Sequence, residues 1–487
     1  MSLKQKVVVN TIWSVSGQLG YSAIQLFSNI VFARFLTPIE FGQLGIIMFF
    51  VLISNVLIEG GLGGALVRKI NATETDFSTV FLFNLFISLF LYIILILISD
   101  HIANYYKDPQ LKILLIAAGS ITIINSLNFV QNTRLVKSLQ FKKLAFYKLI
   151  SVFLANVVGI VLVILHYGIW SLVAVILLNP LFLSIILWTK EGTFGRITFS
   201  KHSFLSLYIF GVNTTLATII DTIFNNIYQL ILAKWFSITQ TGFYYQAKKL
   251  QDVINTMIFG TTNSVIFSSL ATLQNEREKF VAAYSKIISY LSVVMGLLSL
   301  LIINYSKEII MILYGDKWIP ASSYLIFLAS ISFFYVHEMF NRVVFKTFDK
   351  TRIILYLELL KKAILAISIV VGVILLDIKA LLLGYLIVSC ISYFINYFIS
   401  RKVSGVRNWN ELISVFKVII SIVLVTIPMF LIKTQLSFGY LEMIISVPLV
   451  LLLYLVILRI QGFKLNLKEF KELNLHRSLN QSNEISD

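Results

Sequence analysis

The chain has 487 residues, of which 58% are hydrophobic and only 13% charged, and its mean hydropathy is +0.87. Soluble globular proteins carry about a quarter charged residues, so this composition excludes that class and indicates an integral membrane protein. The net charge of +17 lies between apolar runs and not on one basic face, which argues against nucleic acid as a partner; the single cysteine, Cys390, excludes an internal disulfide framework, and no Cys/His grouping suggests a metal or other cofactor.

About twenty apolar residues cross the bilayer core. On that measure the sequence predicts about fourteen helices, at 10–33, 41–66, 77–99, 110–131, 144–166, 168–189, 204–233, 241–270, 284–304, 320–345, 354–376, 378–400, 411–432 and 438–460. Lys4 and Lys6 precede an apolar run with no small-residue cleavage site, so the first is read as an uncleaved span. With the N-terminus cytoplasmic, the inner loops and ends hold roughly 27 Lys and Arg against about 8 outside, which places both termini in the cytoplasm. Arg134, Lys137, Lys142, Lys143 and Lys148 share one inner loop.

The first predicted span has a copy two hundred residues on. Sliding Asn10–Gly42 over Phe210–Gly242 without gaps pairs Ser14 with Thr214, Gln18 with Thr218, Ser22 with Thr222, Gln25 with Asn225 and Asn29 with Gln229. The exits pair too: Arg34 falls on Lys234, Thr37 on Ser237 and Gly42 on Gly242. Steps of three and four keep positions 14, 18, 22, 25 and 29, and 214, 218, 221, 225 and 229, on one helix face each. A polar stripe on a spanning helix faces protein or a watery cavity rather than lipid. Six spans separate the copies, so they run the same way, as a parallel repeat in a duplicated transporter. The expected organisation is an all-α polytopic membrane protein of two pseudo-symmetric six-helix bundles, 1–200 and 201–403, two extra spans over 404–462, and a polar cytoplasmic tail over 463–487.

Five stretches carry a family resemblance: Phe35-Leu36-Thr37-Pro38-Ile39-Glu40-Phe41-Gly42, Gly61-Leu62-Gly63-Gly64-Ala65-Leu66-Val67-Arg68, Leu139-Gln140-Phe141-Lys142-Lys143-Leu144-Ala145, Tyr167-Gly168-Ile169-Trp170-Ser171-Leu172-Val173-Ala174 and Tyr314-Gly315-Asp316-Lys317-Trp318-Ile319-Pro320-Ala321. In this order they resemble the Wzx-type polysaccharide flippases, especially the colanic acid and teichuronic acid exporter branch of the multidrug, oligosaccharidyl-lipid and polysaccharide exporter superfamily, whose fold is MATE- and MurJ-like. The resemblance implies a bacterial inner-membrane protein that moves an undecaprenyl-diphosphate-linked oligosaccharide, an O-antigen or exopolysaccharide repeat unit, to the outer leaflet. Membrane lipids, a polysaccharide polymerase and glycosyltransferases are its implied partners, and no cofactor is implied. A multidrug exporter of the same superfamily is the alternative; it would favour small cationic drugs and acidic cavity residues.

A lipid-linked sugar diphosphate requires cations, amide or hydroxyl partners and an opening to lipid. Lys248 and Lys249 lie about 10 Å along the predicted eighth span from Gly242. In relatives this stretch often holds two basic residues; Lys249 matches the second, Gln246 stands at the first, and Lys248 is a substitute. Asp252, one turn away, gives Lys249 a structural alternative as an ion pair. Arg34 and Lys234 either receive the diphosphate at the outer side or anchor helix ends at headgroup level. Gln18, Gln25, Asn29, Asn225, Asn226 and Gln229 suit sugar hydroxyls, interhelical hydrogen bonds would use the same groups, and Asp221 of the second stripe is a further candidate for substrate binding. Glu59 and Asp221 are the candidates for ion coupling, with a structural partner such as Arg68 the alternative for Glu59. Glu338 with Arg342, and Glu358 with Lys362, have ion-pair spacing, and Tyr314, Trp318 and Pro320 read as an interfacial anchor and turn.

No phosphate loop, H-E-x-x-H or G-x-S-x-G motif is present, and no connection exceeds about 17 residues, too short for a soluble catalytic domain. The sequence therefore predicts a carrier and not an enzyme, and argues against a membrane glycosyltransferase or polymerase.

Overall fold

A computed structural model describes the whole chain except residues 1–2, 193–196, 257, 259–265, 267–269, 406–408, 436–439 and 464–487. The predicted tail therefore lies, from 464 on, outside the described residues, as does most of the predicted eighth span beyond 256. The described elements are α1 (Leu3–Phe35), α2 (Pro38–Glu59), α3 (Leu62–Arg68), α4 (Glu74–Tyr106), α5 (Gln110–Gly119), α6 (Ile121–Lys137), α7 (Phe141–Ile164), α8 (Trp170–Lys190), α9 (Lys201–Trp235), α10 (Ile238–Asn255), α11 (Arg277–Tyr314), α12 (Ala321–Thr347), α13 (Thr351–Ile374), α14 (Ile378–Ser404), α15 (Asn410–Gln435) and α16 (Tyr440–Ile460).

Eleven stretches among the described residues are long and apolar enough to cross a membrane, counting α2 with α3 and α5 with α6 as one each. The remaining long helices are α1, α10 and α13, and they hold much of the polar chemistry. α1 carries Gln18, Gln25 and Asn29; α10 carries Gln246, Lys248, Lys249 and Asp252; α13 carries Glu358, Lys361 and Lys362. The chain is a polytopic α-helical membrane protein of about fourteen spans.

Two predicted spans are broken. α2 ends at Gly60 and Gly61, whose φ values of 51° and 65° stop the helix before α3 restarts it. These glycines also serve close packing, since a Cβ on Gly211 of α9 would lie 2.3 Å from the Gly60 carbonyl oxygen. α5 passes to α6 through Ser120, whose hydroxyl donates to the Ala117 carbonyl.

The chain folds as two compact units. The first comprises Met1–Lys249 and Leu313–Ala321, the second Leu250–Ile312 and Ser322–Asp487. In the first, α1 packs on α7 through Gly17, where an added Cβ would lie 2.5 Å from that of Ala145. That packing turns Gln18 to an exposed face, while Asn179 of α8 and Gln25 both donate to the Tyr21 hydroxyl, at 3.0 and 3.3 Å. The second unit has its core around Phe280, Ile288, Phe340, Val344, Tyr393 and Val418.

The offset of two hundred recurs in the first unit's local structure. Thr37 caps α2 with a capping box: Glu40 Oε2 accepts from the Thr37 backbone N–H at 2.7 Å, and the Thr37 hydroxyl accepts from the Glu40 N–H at 3.4 Å. Ser237 repeats part of this before α10, accepting from the Gln240 N–H at 3.1 Å.

The reading of Tyr314 and Trp318 as an interfacial anchor is corrected. Both are fully buried in the first unit. Trp318 packs edge-on against Phe41, Phe243 and Tyr314, and its indole N–H donates to the Ala33 carbonyl at the end of α1 at 2.8 Å. A buried indole needs an acceptor, and the last carbonyls of a helix are open for one.

Candidate functional site

The paired exits form matching clasps. Arg34 Nε donates to the Leu313 carbonyl at 3.1 Å, and Lys234 Nζ donates to the Tyr105 carbonyl at 3.0 Å. Each carbonyl lies two residues before a position of positive φ, Gly315 at 97° and Lys107 at 56°, and three before an aspartate, Asp316 and Asp108. The repeat thus extends from the helix exits to the turns that receive them. Lys317 Nζ returns a bond to the Arg34 carbonyl at 2.9 Å. Burial holds the Lys317 ammonium below its usual pKa, with the Arg34 charge acting in the same sense and Glu40 opposing it. Lys234 also lies 3.6 Å from the centroid of the Tyr105 ring.

One helical turn inward the amides of the stripes engage. Asn29 Nδ2 donates to Gln246 Oε1 at 2.7 Å and to the Tyr314 hydroxyl at 3.3 Å. The equivalent of Asn29, Gln229, is buried on α9, where its Oε1 lies 3.6 Å from the position a Cβ on Gly45 of α2 would occupy. α1 therefore meets α10 as α9 meets α2. Gln229 Oε1 and Gln246 Nε2 are buried and have no hydrogen-bond partner among the described residues. Gln246 is thus a buried amide that ties α10 to α1.

Lys248 and Lys249 are half-buried one turn further along α10, with Lys249 Nζ 5.6 Å from the Tyr245 ring centroid. Asp221 and Asn225 are exposed on α9, and Thr214 has a side chain outside the described set. Glu59 is exposed at the end of α2, and the charge acting on it is Lys148 of α7. The structure brings Asn29 to Gln246 and Tyr314; it keeps Gln18, Asp221 and Asn225 on exposed helix faces.

The largest buried charge cluster among the described residues is in the second unit, and half of it was legible. Both spaced pairs form: Arg342 to Glu338 at 2.5 Å and Lys362 to Glu358 at 3.8 Å. Two bonds between α12 and α13 join them, from Arg342 to Glu358 and from Lys361 Nζ to Glu338 Oε2 at 2.7 Å. Glu338 is completely buried and Lys361 nearly so. Three cations meet two carboxylates here. Lys361, three residues after Glu358 on α13, turns to Glu338 and holds the network to the neighbouring helix.

The basics read as one inner loop lie instead on two helices, Arg134 and Lys137 in the last turn of α6 and Lys142, Lys143 and Lys148 on α7. Arg134 pairs with Glu74, Lys137 Nζ donates to the Leu66 and Lys69 carbonyls at the C-terminal end of α3, and Lys143 pairs with Glu191 at 3.3 Å.

Comparisons with known proteins fit this architecture. The model of the family described as "Polysaccharide biosynthesis protein" matches residues 31–323. The chain is 24% identical over 332 residues to an uncharacterized membrane protein in the cps region of Klebsiella pneumoniae, covering 66% of each chain. It is 23% identical over 312 residues to the succinoglycan biosynthesis transport protein ExoT of Rhizobium meliloti (strain 1021), covering 64% of this chain and 63% of the relative, so slightly less than two thirds of both relatives is spanned. With the lipopolysaccharide biosynthesis protein WzxC of Escherichia coli (strain K12) it shares 22% identity over 414 residues, 82% of each. Among solved structures it is similar to the lipid II flippase MurJ in an inward closed conformation, with TM-score 0.71 at 16% identity over 92% of this chain and 98% of that one. An inward-facing multidrug resistance MATE transporter is similar with TM-score 0.59 at 16% identity, over 82% of this chain and all of that one.

Proposed function

The chain belongs to the polysaccharide biosynthesis protein family, and from that premise we propose that it carries an undecaprenyl-diphosphate-linked oligosaccharide, an O-antigen or exopolysaccharide repeat unit, from the cytoplasmic to the outer leaflet of the bacterial inner membrane. It works by alternating access of two six-span halves, 1–200 and 201–403, with both termini cytoplasmic, and transports without catalysing a reaction. A polymerase and glycosyltransferases use and supply its substrate.

One observation carries the reading: Lys248 and Lys249 stand half-buried on a membrane helix one turn beyond the part-buried hydrogen bond from Asn29 to Gln246. Ammonium groups give a diphosphate charge-assisted hydrogen bonds, and ionisable groups at this depth usually mark a transport path. Gln18, Gln25, Asn225 and Asp221 offer polar groups for sugar hydroxyls. Arg34 and Lys234 are better read as clasps that close the outer ends of α1 and α9, since each already holds a backbone carbonyl. Glu59 and Asp221 are the candidates for ion coupling.

The test is reconstitution of the purified full-length protein into vesicles with a fluorescent undecaprenyl-diphosphate oligosaccharide in one leaflet. Protein-dependent movement to the other leaflet supports the proposal. Export of a cationic dye without movement of the lipid-linked sugar would replace it with the multidrug reading.

A further inference from the structure

The transport reading leaves unused a polar cluster in the second unit where α11, α12, α14 and α15 meet. Glu411, in the first turn of α15, is only 5% exposed. Asn341 of α12 donates from Nδ2 to Glu411 Oε1 at 2.9 Å, and the Tyr393 hydroxyl of α14 reaches the same oxygen at 3.5 Å. Asn341 is itself fixed: its Oδ1 accepts from the Tyr284 hydroxyl of α11 at 3.2 Å and from the Ser400 hydroxyl of α14 at 2.5 Å. The Tyr284 hydroxyl also faces the carboxyl. The groups around the carboxyl are thus neutral donors.

Several charged and titratable groups of the surrounding elements hold other partners. His337 of α12 bonds the Ser292 hydroxyl of α11 through Nε2 at 2.7 Å and the Phe333 carbonyl through Nδ1 at 2.6 Å. Arg401 of α14 lies over the Trp409 ring at 3.9 Å. Arg277 of α11 donates to the Ser404 and Val403 carbonyls at 2.5 and 3.0 Å. Arg342 holds Glu338 and Glu358 on α12 and α13. Tyr397 of α14 keeps a buried hydroxyl with no hydrogen-bond partner among the described residues. Arg407 lies outside the described residues.

A carboxylate buried among neutral groups is unfavourable, and the same carboxyl bearing a proton is not. The bonds from Asn341 and Tyr393 both end on Oε1, which leaves Oε2 as the oxygen on which a proton would sit. We propose that Glu411 is a proton-binding site, neutral in this packing and releasing its proton when α15 separates from α12 and α14 and water enters. This goes beyond the transport reading, which gives α15 no part. It also predicts that movement of α15 changes the proton count of the protein.

The experiment is infrared difference spectroscopy of the purified full chain between acid and alkaline buffers. We expect the carbonyl stretch of a neutral carboxyl, shifted in heavy water and lost in Glu411→Gln. The variant's melting temperature and gel-filtration profile show that the amide keeps the fold. Lys433→Met, which disturbs Glu308 instead, should leave the band in place. A band that persists in Glu411→Gln overturns the proposal. So does a spectrum in which the band emerges only on Arg407→Gln, since Glu411 is then that arginine's carboxylate partner. Loss of the band on adding sodium chloride at fixed pH, with potassium chloride inert, overturns it in favour of a sodium site.

Discussion

Gly42 and Gly242 cross where neither can carry a side chain. A Cβ on Gly42 would lie 1.9 Å from the Ile238 carbonyl oxygen, and one on Gly242 would lie 1.8 Å from the Pro38 carbonyl oxygen. The approach is reciprocal at the offset that aligns the stripes, so α2 and α10 pass each other through a local two-fold relationship. Gly42→Ala and Gly242→Ala must each push backbone apart, at a cost of about 1–3 kcal/mol or more. Gly20→Ala meets only the flexible end of Leu149, at 3.1 Å, and should be tolerated. Melting temperatures in detergent check this: two strongly destabilised variants and one near the parent.

The α12–α13 network gives a second prediction. Glu338→Gln leaves Arg342 and Lys361 under-compensated inside the protein, at about 3–5 kcal/mol. Adding Lys361→Met should recover part of the loss, because the second change removes the stranded charge. Abundance and melting temperature of the single and double variants form the test. An unchanged Glu338→Gln protein would show that the network contributes little.

Much of this was legible in the sequence, for physical reasons. Stripes at steps of three and four survive as a signal because each polar residue on a spanning helix needs a partner or a cavity, and Asn29 and Gln229 were found on those grounds alone. Intrahelical pairs such as Glu338 and Arg342 were legible because helix geometry sets their distance. The Lys361–Glu338 bond was not, since Lys361 also stands three residues after Glu358 and only packing shows which carboxylate it takes. Trp318 was misread because an aromatic beside a span end has the same sequence signature whether it faces headgroups or fills a core. Glu411 gave no signal, being one acidic residue at a helix start, where carboxylates are ordinary.

Topology is tested by the loop basics. In a Cys390→Ala background, a cysteine at Ser138, in the turn between α6 and α7, should label only from the cytoplasm, and one at Asp316 only from outside. The opposite pattern would invert the orientation and with it the direction of export.

An outward-moving diphosphate should respond to membrane potential. Carrying about two negative charges out of an inside-negative compartment gains roughly 2.3 kcal/mol per charge per 100 mV. Clamping the potential to zero should slow flipping in vesicles. An unchanged rate together with a strict proton or sodium requirement would move the coupling to an ion, with Glu59 and Asp221 the first residues to substitute.

The most direct test of lipid-diphosphate transport is the flipping rate of Lys248→Ala, Lys249→Ala protein, measured beside its abundance and the surface polysaccharide it supports in cells. We predict a well-expressed protein that no longer flips, with Lys249→Ala more damaging than Lys248→Ala and Lys249→Arg active, because phosphate accepts either cation although the guanidinium geometry differs. Were Lys249 only a counter-charge to Asp252, the single variant would lose abundance and Asp252→Asn would restore both abundance and flipping. Full flipping by a well-expressed double variant would contradict the role of these lysines in holding the diphosphate.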